Sequence, residues 1–238
     1  MVVTLVQNAP RLNRSNLEKI VAIIDEYKEK SDLIIFPELA LNGYLLQDKL
    51  YEDAWELSEL DVLAQLSDDV DIVVGGAIRE KEHFRNSALY FSQGKLISQH
   101  NKVYLPNYGM FEEARYFDAG EMFESFVVKE KKIAMLVCED LWHADVNHQL
   151  SLENPDIIIV LVASPARGFE DDGLLIQEQW YALLKATALH TQAKVLFVNR
   201  VGFEDGLGFW GGSCIVDKNA KILYKLPKYK QEIAIFDI

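Results

Sequence analysis

The stretch "DIIIVLVA", residues 156–163, is the tightest constraint this chain places on its fold. Residues 157–163 are apolar without interruption. In an extended strand, successive side chains point to opposite faces, so this run is apolar on both. Such a strand belongs in a sheet that is covered on both sides. "DLIIFPE" (32–38), "DIVVGGAI" (71–78) and "KIAMLVC" (132–138) carry the same signal. Helical patterns lie between them. Leu17, Ile20, Val21 and Ile24 recur at helical spacing within residues 16–30, with Asn13 or Ser15 as the cap. A second helix is expected near residues 54–66, and the longest over 173–191. "RNSALYFS" and "KLISQHN" flank "QG", which predicts a hairpin. "VVTLVQN", "KVLFVNR", "GGSCIVD", "KILYKLP" and "EIAIFDI" read as further strands. Strands alternating with helices give an α/β fold with some antiparallel hairpins. One sheet coated by helices, or two packed sheets with helices outside, satisfy the pattern equally well.

A chain of 238 residues, 50% of them hydrophobic, has material for one substantial core. No linker, repeat or low-complexity segment divides it, so one domain over residues 1–238 is expected. The net charge of −13 repels phosphate backbones and anionic membranes, which argues against nucleic-acid and membrane partners. The longest apolar run is far too short to span a bilayer. No basic stretch precedes the first apolar residues, so no secretory leader is expected. The cysteines, Cys138 and Cys214, form no CxxC pair. A reduced, cytoplasmic protein fits this usage, with a single disulfide as the alternative.

Three ionisable residues stand just beyond apolar strands: Glu38, Lys102 and Cys138. Sites in α/β sheets gather outside the carboxyl ends of strands. A carboxylate, an ammonium and a thiol could therefore meet at one place. A free thiol is mostly protonated at neutral pH, and Glu38 could remove its proton. Attack on an amide carbon would create an oxyanion, which Lys102 and the backbone N–H of Glu139 could hold. Taken singly, each residue has a plainer reading: Cys138 as core, Glu38 as a turn residue after Pro37, Lys102 as a surface charge.

Longer motifs break the tie. "IIFPELALNGY", "NKVYLPNYGMFEEARYF" and "IAMLVCEDLWH" resemble, in order, the glutamate, lysine and cysteine motifs of the nitrilase superfamily of carbon–nitrogen hydrolases. "VASPARG" and "NRVGFEDGLGFWGGSCIVD" resemble its later segments. The resemblance covers nearly the whole chain. It implies a four-layer α-β-β-α sandwich, a single carbon–nitrogen hydrolase domain, no cofactor and no metal, and self-association as a dimer or larger. It implies Glu38 as general base, Lys102 as oxyanion donor and Cys138 as nucleophile. Glu113, rather than Glu112, matches the additional glutamate that orients the lysine.

"CEDLW" and "LPNYGMFEEARYF" most resemble the glutaminase domains of glutamine-dependent NAD synthetases. That branch implies Tyr108 and Ser164 at the substrate. The chain lacks the synthetase nucleotide loop "SGGxDS", and "GGSC" at 211–214 reads instead as strand glycines. Ala119 stands where many relatives have proline. The expected activity is hydrolysis of a small linear, glutamine-like carboxamide with release of ammonia. A nitrilase, an N-carbamoyl-amide hydrolase, and a glutaminase subunit serving a separate synthetase are the alternatives.

Other residues carry weaker signals. Trp142 could wall the pocket or pack in the core. Arg115 and Arg167 could each bind a substrate carboxylate, although a structural salt bridge is the simpler role. His143 and His148 are too loosely spaced for a metal pair. Cys214 reads as core, and "EDD" at 170–172 as a solvated loop.

Overall fold

The computed structural model describes residues 1–171 and 173–238. Strand β1 (Val2–Gln7) leads through helix α1 (Asn16–Tyr27) to β2 (Leu33–Ile35). Short helices α2 (Leu50–Asp53) and α3 (Asp61–Leu66) precede β3 (Asp71–Glu80), β4 (His83–Ser92) and β5 (Lys95–Asn101). A loop carrying α4 (Glu113–Tyr116) reaches β6 (Ser125–Val128) and β7 (Lys131–Val137). Helix α5 (Ala144–Glu153) and β8 (Ile157–Val162) follow. The small pair β9 (Phe169–Glu170) and β10 (Gly173–Leu174) opens into α6 (Leu175–Thr191) and β11 (Lys194–Asn199). The hairpin β12 (Val201–Glu204) and β13 (Leu207–Trp210) precedes β14 (Cys214–Val216), β15 (Ile222–Lys225) and β16 (Glu232–Asp237).

Among the described residues, the strands form two six-stranded sheets, ordered β16-β1-β2-β3-β4-β5 and β15-β14-β11-β8-β7-β6. Their centres are parallel, β1–β2–β3 in one and β7–β8–β11 in the other, and antiparallel strands flank them. The both-faced apolar strands explain the layering. In β8, Ile157, Ile159 and Leu161 enter the core between the sheets. Ile158, Val160 and Val162 point the other way, under Val146 and Leu150 of α5 and Trp180 and Leu184 of α6. In the first sheet Leu33, Ile35 and Val73 face inward. Ile34, Ile72 and Val74 face outward against Ile20 and Ile24 of α1 and Leu63 of α3. Full burial of each such side chain contributes about 1.5–3 kcal/mol. The fold is an α-β-β-α sandwich, so two sheets rather than one satisfy the pattern.

Three local expectations need correction, and one helix was missed. The helix near 54–66 is shorter than its pattern. Trp55 is extended and bonds to β3, its N–H donating to Ala77 O at 2.8 Å and its carbonyl accepting from Arg79 N at 2.8 Å. That sheet pairing overrides helical spacing, and helix resumes only after a 3₁₀ turn at Leu57–Leu60. Ser15 precedes α1 but makes no side-chain cap; Asn13 Oδ1 accepts the Ser15 N–H instead. Gly211 and Gly212 are not strand glycines. Both have positive φ, +72° and +63°, and turn the chain between β13 and β14. Helix α5 was not expected, because only Val146 and Leu150 of its ten residues are buried. The "QG" hairpin does form: Gln93 and Gly94 both have positive φ, 53° and 74°, as a type I′ turn requires.

Of the acidic stretch expected as a solvated loop at 170–172, Glu170 instead ends β9 and Asp171 is an exposed turn residue, while Asp172 lies outside the described residues. No helix among the described residues is long and apolar enough to cross a membrane.

Candidate active site

The site begins where β2 stops. Beyond Ile35, Phe36 still donates to Val73 O, then Pro37 and Glu38 turn away, and Leu41 N returns to Gly75 O. Gly75 makes this turn possible. A Cβ there would lie 2.5 Å from Pro37 O, 2.6 Å from Leu39 N and 2.7 Å from Glu38 Cα. The fully buried Glu38 carboxylate bridges the two sheets. Its Oε1 accepts from Asn86 Nδ2 at 2.8 Å and Lys102 Nζ at 2.9 Å, and its Oε2 accepts from Ala163 N at 2.7 Å.

Lys102 follows β5 and is 0% exposed. Its ammonium also donates to both oxygens of Glu113, at 2.8 and 2.7 Å. Burial by itself would lower the lysine pKa. The carboxylates of Glu113 and Glu38 outweigh burial and hold it well above its usual value, so the ammonium stays charged. Glu113 Oε1 accepts a further hydrogen bond from the Tyr44 hydroxyl at 2.6 Å. Glu112, by contrast, is exposed and pairs with Arg115 at 3.7 Å.

Cys138 follows β7 with φ +47°, a left-handed conformation uncommon outside glycine. A 3₁₀ turn, Cys138–Trp142, follows at once. Asp140 over-determines this corner. Its Oδ2 accepts from Val137 N at 2.9 Å and bonds His100 Nε2 at 2.8 Å. Its Oδ1 accepts from Val103 N and Tyr104 N, both at 3.0 Å. One buried carboxylate thus ties the thiol's turn to the loop that follows Lys102. Burial pushes the Cys138 thiol well up, Glu38 adds to the rise, and Lys102 opposes it. The resting sulfur is therefore a protonated thiol.

A cavity of about 10 Å³ lies over Cys138, bordered by Tyr44, Phe111, Glu139, Trp142, Ser164 and Trp180. That volume suits about one water molecule. An outer cavity of about 310 Å³ shares Trp142 and Arg167 with it and adds Tyr108, Leu175 and Gln179. Tyr108 donates to both Glu139 oxygens at 2.9 and 3.0 Å. Burial and that bond push its hydroxyl up to about 12. Arg167 lies over the Phe111 ring, 5.1 Å from its centroid. Its Nε is buried without a hydrogen-bond partner among the described residues.

The structure therefore joins Glu38, Lys102 and Glu113 by direct hydrogen bonds and brings Cys138 within their electrostatic reach. Glu139, Trp142 and Ser164 border the inner cavity, whereas Tyr108 stands in the outer one and reaches Glu139. Sequence reasoning missed Tyr44, Asn86, Asp140 and Glu204. Glu204 pairs with buried Arg200 at 2.9 Å and accepts from Tyr44 N at 2.7 Å and Leu45 N at 2.5 Å. Two of the four had a signal. Tyr44 ends the glutamate motif, and Asp140 is the second acid directly after the cysteine. Asn86 and Glu204 had none. Cys214 is fully buried in the core, and both cysteines are free. No group of three His, Cys, Asp or Glu side chains among the described residues is arranged to hold a metal ion.

The carbon-nitrogen hydrolase family model matches residues 2–238. Over 99% of its length the chain aligns, at 32% identity, with the glutamine-dependent NAD(+) synthetase of Acinetobacter baylyi. Over 92% it aligns, at 32% identity, with the enzyme of Aquifex aeolicus. It spans less than half of those relatives, 44% and 38% of their lengths. The glutamine-dependent NAD+ synthetase of Acinetobacter baumannii superposes with a TM-score of 0.88 at 30% identity, over 98% of this chain and 44% of that one. An amidase of the nitrilase superfamily from Nesterenkonia shares the fold at 22% identity, with a TM-score of 0.83, over 100% of this chain and 90% of that one.

Proposed function

The chain belongs to the carbon-nitrogen hydrolase family, and on that premise we propose that it is a cysteine-dependent amidohydrolase that cleaves a small, linear, glutamine-like carboxamide and releases ammonia. The observation that carries this reading is the buried ammonium of Lys102, clamped between Glu38 and Glu113 next to the left-handed corner of Cys138.

Glu38 takes the thiol proton as the sulfur attacks the amide carbon and a C–S bond forms. The carbonyl oxygen becomes an anion. Lys102 Nζ spends its three protons on carboxylate oxygens at rest. Once Glu38 is protonated its hold on that ammonium weakens, and one N–H turns to the oxyanion. The backbone N–H of Glu139, in the first turn of a helix, lacks an intrahelical acceptor and supplies the second donor. When the C–N bond breaks, Glu38 passes its proton to the departing nitrogen and ammonia leaves. Water, activated by Glu38, then hydrolyses the thioester.

The glutamine-like preference rests on charge. Glu139 and Arg167 border the same cavity with opposite signs, which suits a substrate carrying both an ammonium and a carboxylate. A second reading has one observation in its favour. Because the NAD synthetase relatives extend well beyond the matched segment, the second reading is that the ammonia serves an ATP-dependent synthetase, on this or another chain. Co-purification with such a partner, and faster ammonia release in its presence, would support it.

The deciding experiment offers a panel of amides, nitriles and carbamoyl compounds and weighs the protein after quenching. L-Glutamine should release ammonia and leave a glutamyl group on Cys138, and Cys138→Ala should abolish both. Absence of any acyl adduct and any ammonia across the panel would sink the amidase reading.

A further inference from the structure

We propose that Trp180 and Trp210 are positioning residues that hold the Ser164 hydroxyl as a hydrogen-bond donor into the cavity over Cys138, so that this wall selects amides whose acyl chain presents an acceptor oxygen and disfavours those presenting an ammonium without one. The proposal rests on the amidase reading and deepens it.

Ser164 follows Ala163, the residue whose N–H binds the Glu38 carboxylate, and borders the cavity. Its own N–H donates to Asn199 Oδ1 at 2.9 Å, which fixes its backbone. Its Oγ accepts from Trp180 Nε1 at 2.9 Å and from Trp210 Nε1 at 3.2 Å. An indole N–H is only ever a donor, and a serine hydroxyl has two acceptor lone pairs and one proton. With both lone pairs turned to the indoles, only the O–H remains for a ligand. Among the described residues no side-chain or backbone acceptor takes that proton.

The donors cannot swing away. Trp180 is 1% exposed and Trp210 is 0% exposed. Trp180 stands edge-on to Trp142 at 5.4 Å and against Phe197 at 5.3 Å. Trp210 packs between Phe197 and Tyr181, both at 6.0 Å. A serine with freely rotating partners could accept from an ammonium as easily as donate to a carboxylate. Here accepting would require breaking a buried indole hydrogen bond. Arg167, on the same cavity, adds a positive charge of matching preference, while Glu139 is left to face a substrate's ammonium.

A double-mutant cycle tests this against a merely structural role for the tryptophans. The substrates are glutaramate, which ends in a carboxylate, and 5-aminopentanamide, which ends in an ammonium. Trp180→Phe and Trp210→Phe, each checked for thermal unfolding, should raise KM for glutaramate about 3- to 10-fold, the range of one net hydrogen bond. kcat should change less than about 2-fold, and the preference for glutaramate should shrink. In a Ser164→Ala background the same tryptophan changes should have no further effect on KM. Equal losses in both backgrounds would overturn the proposal.

Should neither tryptophan variant fold, the indole N–H resonances of the folded Ser164→Ala protein decide. Both should shift relative to wild type, and unmoved resonances would overturn it. The acyl-enzyme mass at Cys138 is measured in parallel. Loss of that adduct would fault the amidase reading, and its persistence with unaltered selectivity would fault only this one.

Discussion

At Cys138 the protein sets two demands against each other. On the proposed mechanism the sulfur must become a thiolate, yet its surroundings disfavour negative charge there. Burial and the nearby Glu38 carboxylate raise the thiol, and Lys102 only partly compensates. The folded thiol therefore titrates above the ordinary value of roughly 8.5, and its protonated form fills the pH range below. As the proposed general base, Glu38 supplies both the obstacle and the remedy. Replacing it with glutamine removes a negative charge, so the midpoint for iodoacetamide alkylation of Cys138 should fall. Amide hydrolysis should also fall, by about 100- to 10,000-fold, because the base is gone. A midpoint that stays or rises in Glu38→Gln would show that Glu38 does not set the thiol. Proximity to a carboxylate 100 residues away in sequence cannot be read from spacing. Their shared place at strand ends suggested a meeting, and the motif resemblance singled out the pair.

Strand β3 illustrates how an element can be both scaffold and template. Its "GG" lies within the otherwise apolar run 72–78, where glycine weakens packing. The reason is the neighbouring turn. A Cβ on Gly75 meets the backbone of Pro37, Glu38 and Leu39, whereas one on Gly76 meets the Leu41 side chain first, 2.7 Å from Cδ1. Backbone cannot yield as a side-chain tip can. Gly75→Ala should destabilise the fold by about 1–3 kcal/mol. It should also cut kcat sharply, since displacing a catalytic group by about 1 Å can cost roughly 100-fold. Gly76→Ala should be milder in both thermal midpoint and kcat. Equal effects of the two would refute the assignment of Gly75 to the Glu38 turn. The strand itself was legible as an apolar run. Its closeness to the glutamate was not, because that contact joins two parallel strands across a helical crossover.

For the whole molecule, we propose that residues 1–238 fold as one unit closed by their own ends. β16 pairs with β1 from Val2–Asp237 through Gln7–Glu232. Ala234 and Phe236 pack on the core between the sheets, and Phe236 stacks on Tyr224 of the other sheet at 4.5 Å. Truncation after Gln231 should expose β1 as an edge and strip that part of the core. Thermal unfolding should then lose its cooperative transition or begin at least 10 °C lower, roughly 3 kcal/mol or more for a chain of this size. An unchanged midpoint would show that β16 is dispensable.

Local pattern alone carried much of this. Runs apolar on both faces required covered sheets, the "QG" dipeptide required its turn, and Glu38, Lys102 and Cys138 were visible as chemistry at strand ends. Those features depend on near neighbours in the chain, where side-chain alternation and turn geometry act directly. Tertiary structure decided the rest. It chose two sheets over one, drew Trp55 out of a helix into pairing beside β3, and set Asp140 between the thiol's turn and the lysine's loop. It placed two indoles on the Ser164 hydroxyl. Each of these depends on hydrogen bonds or packing between residues remote in sequence, and periodicity carries no record of such partners.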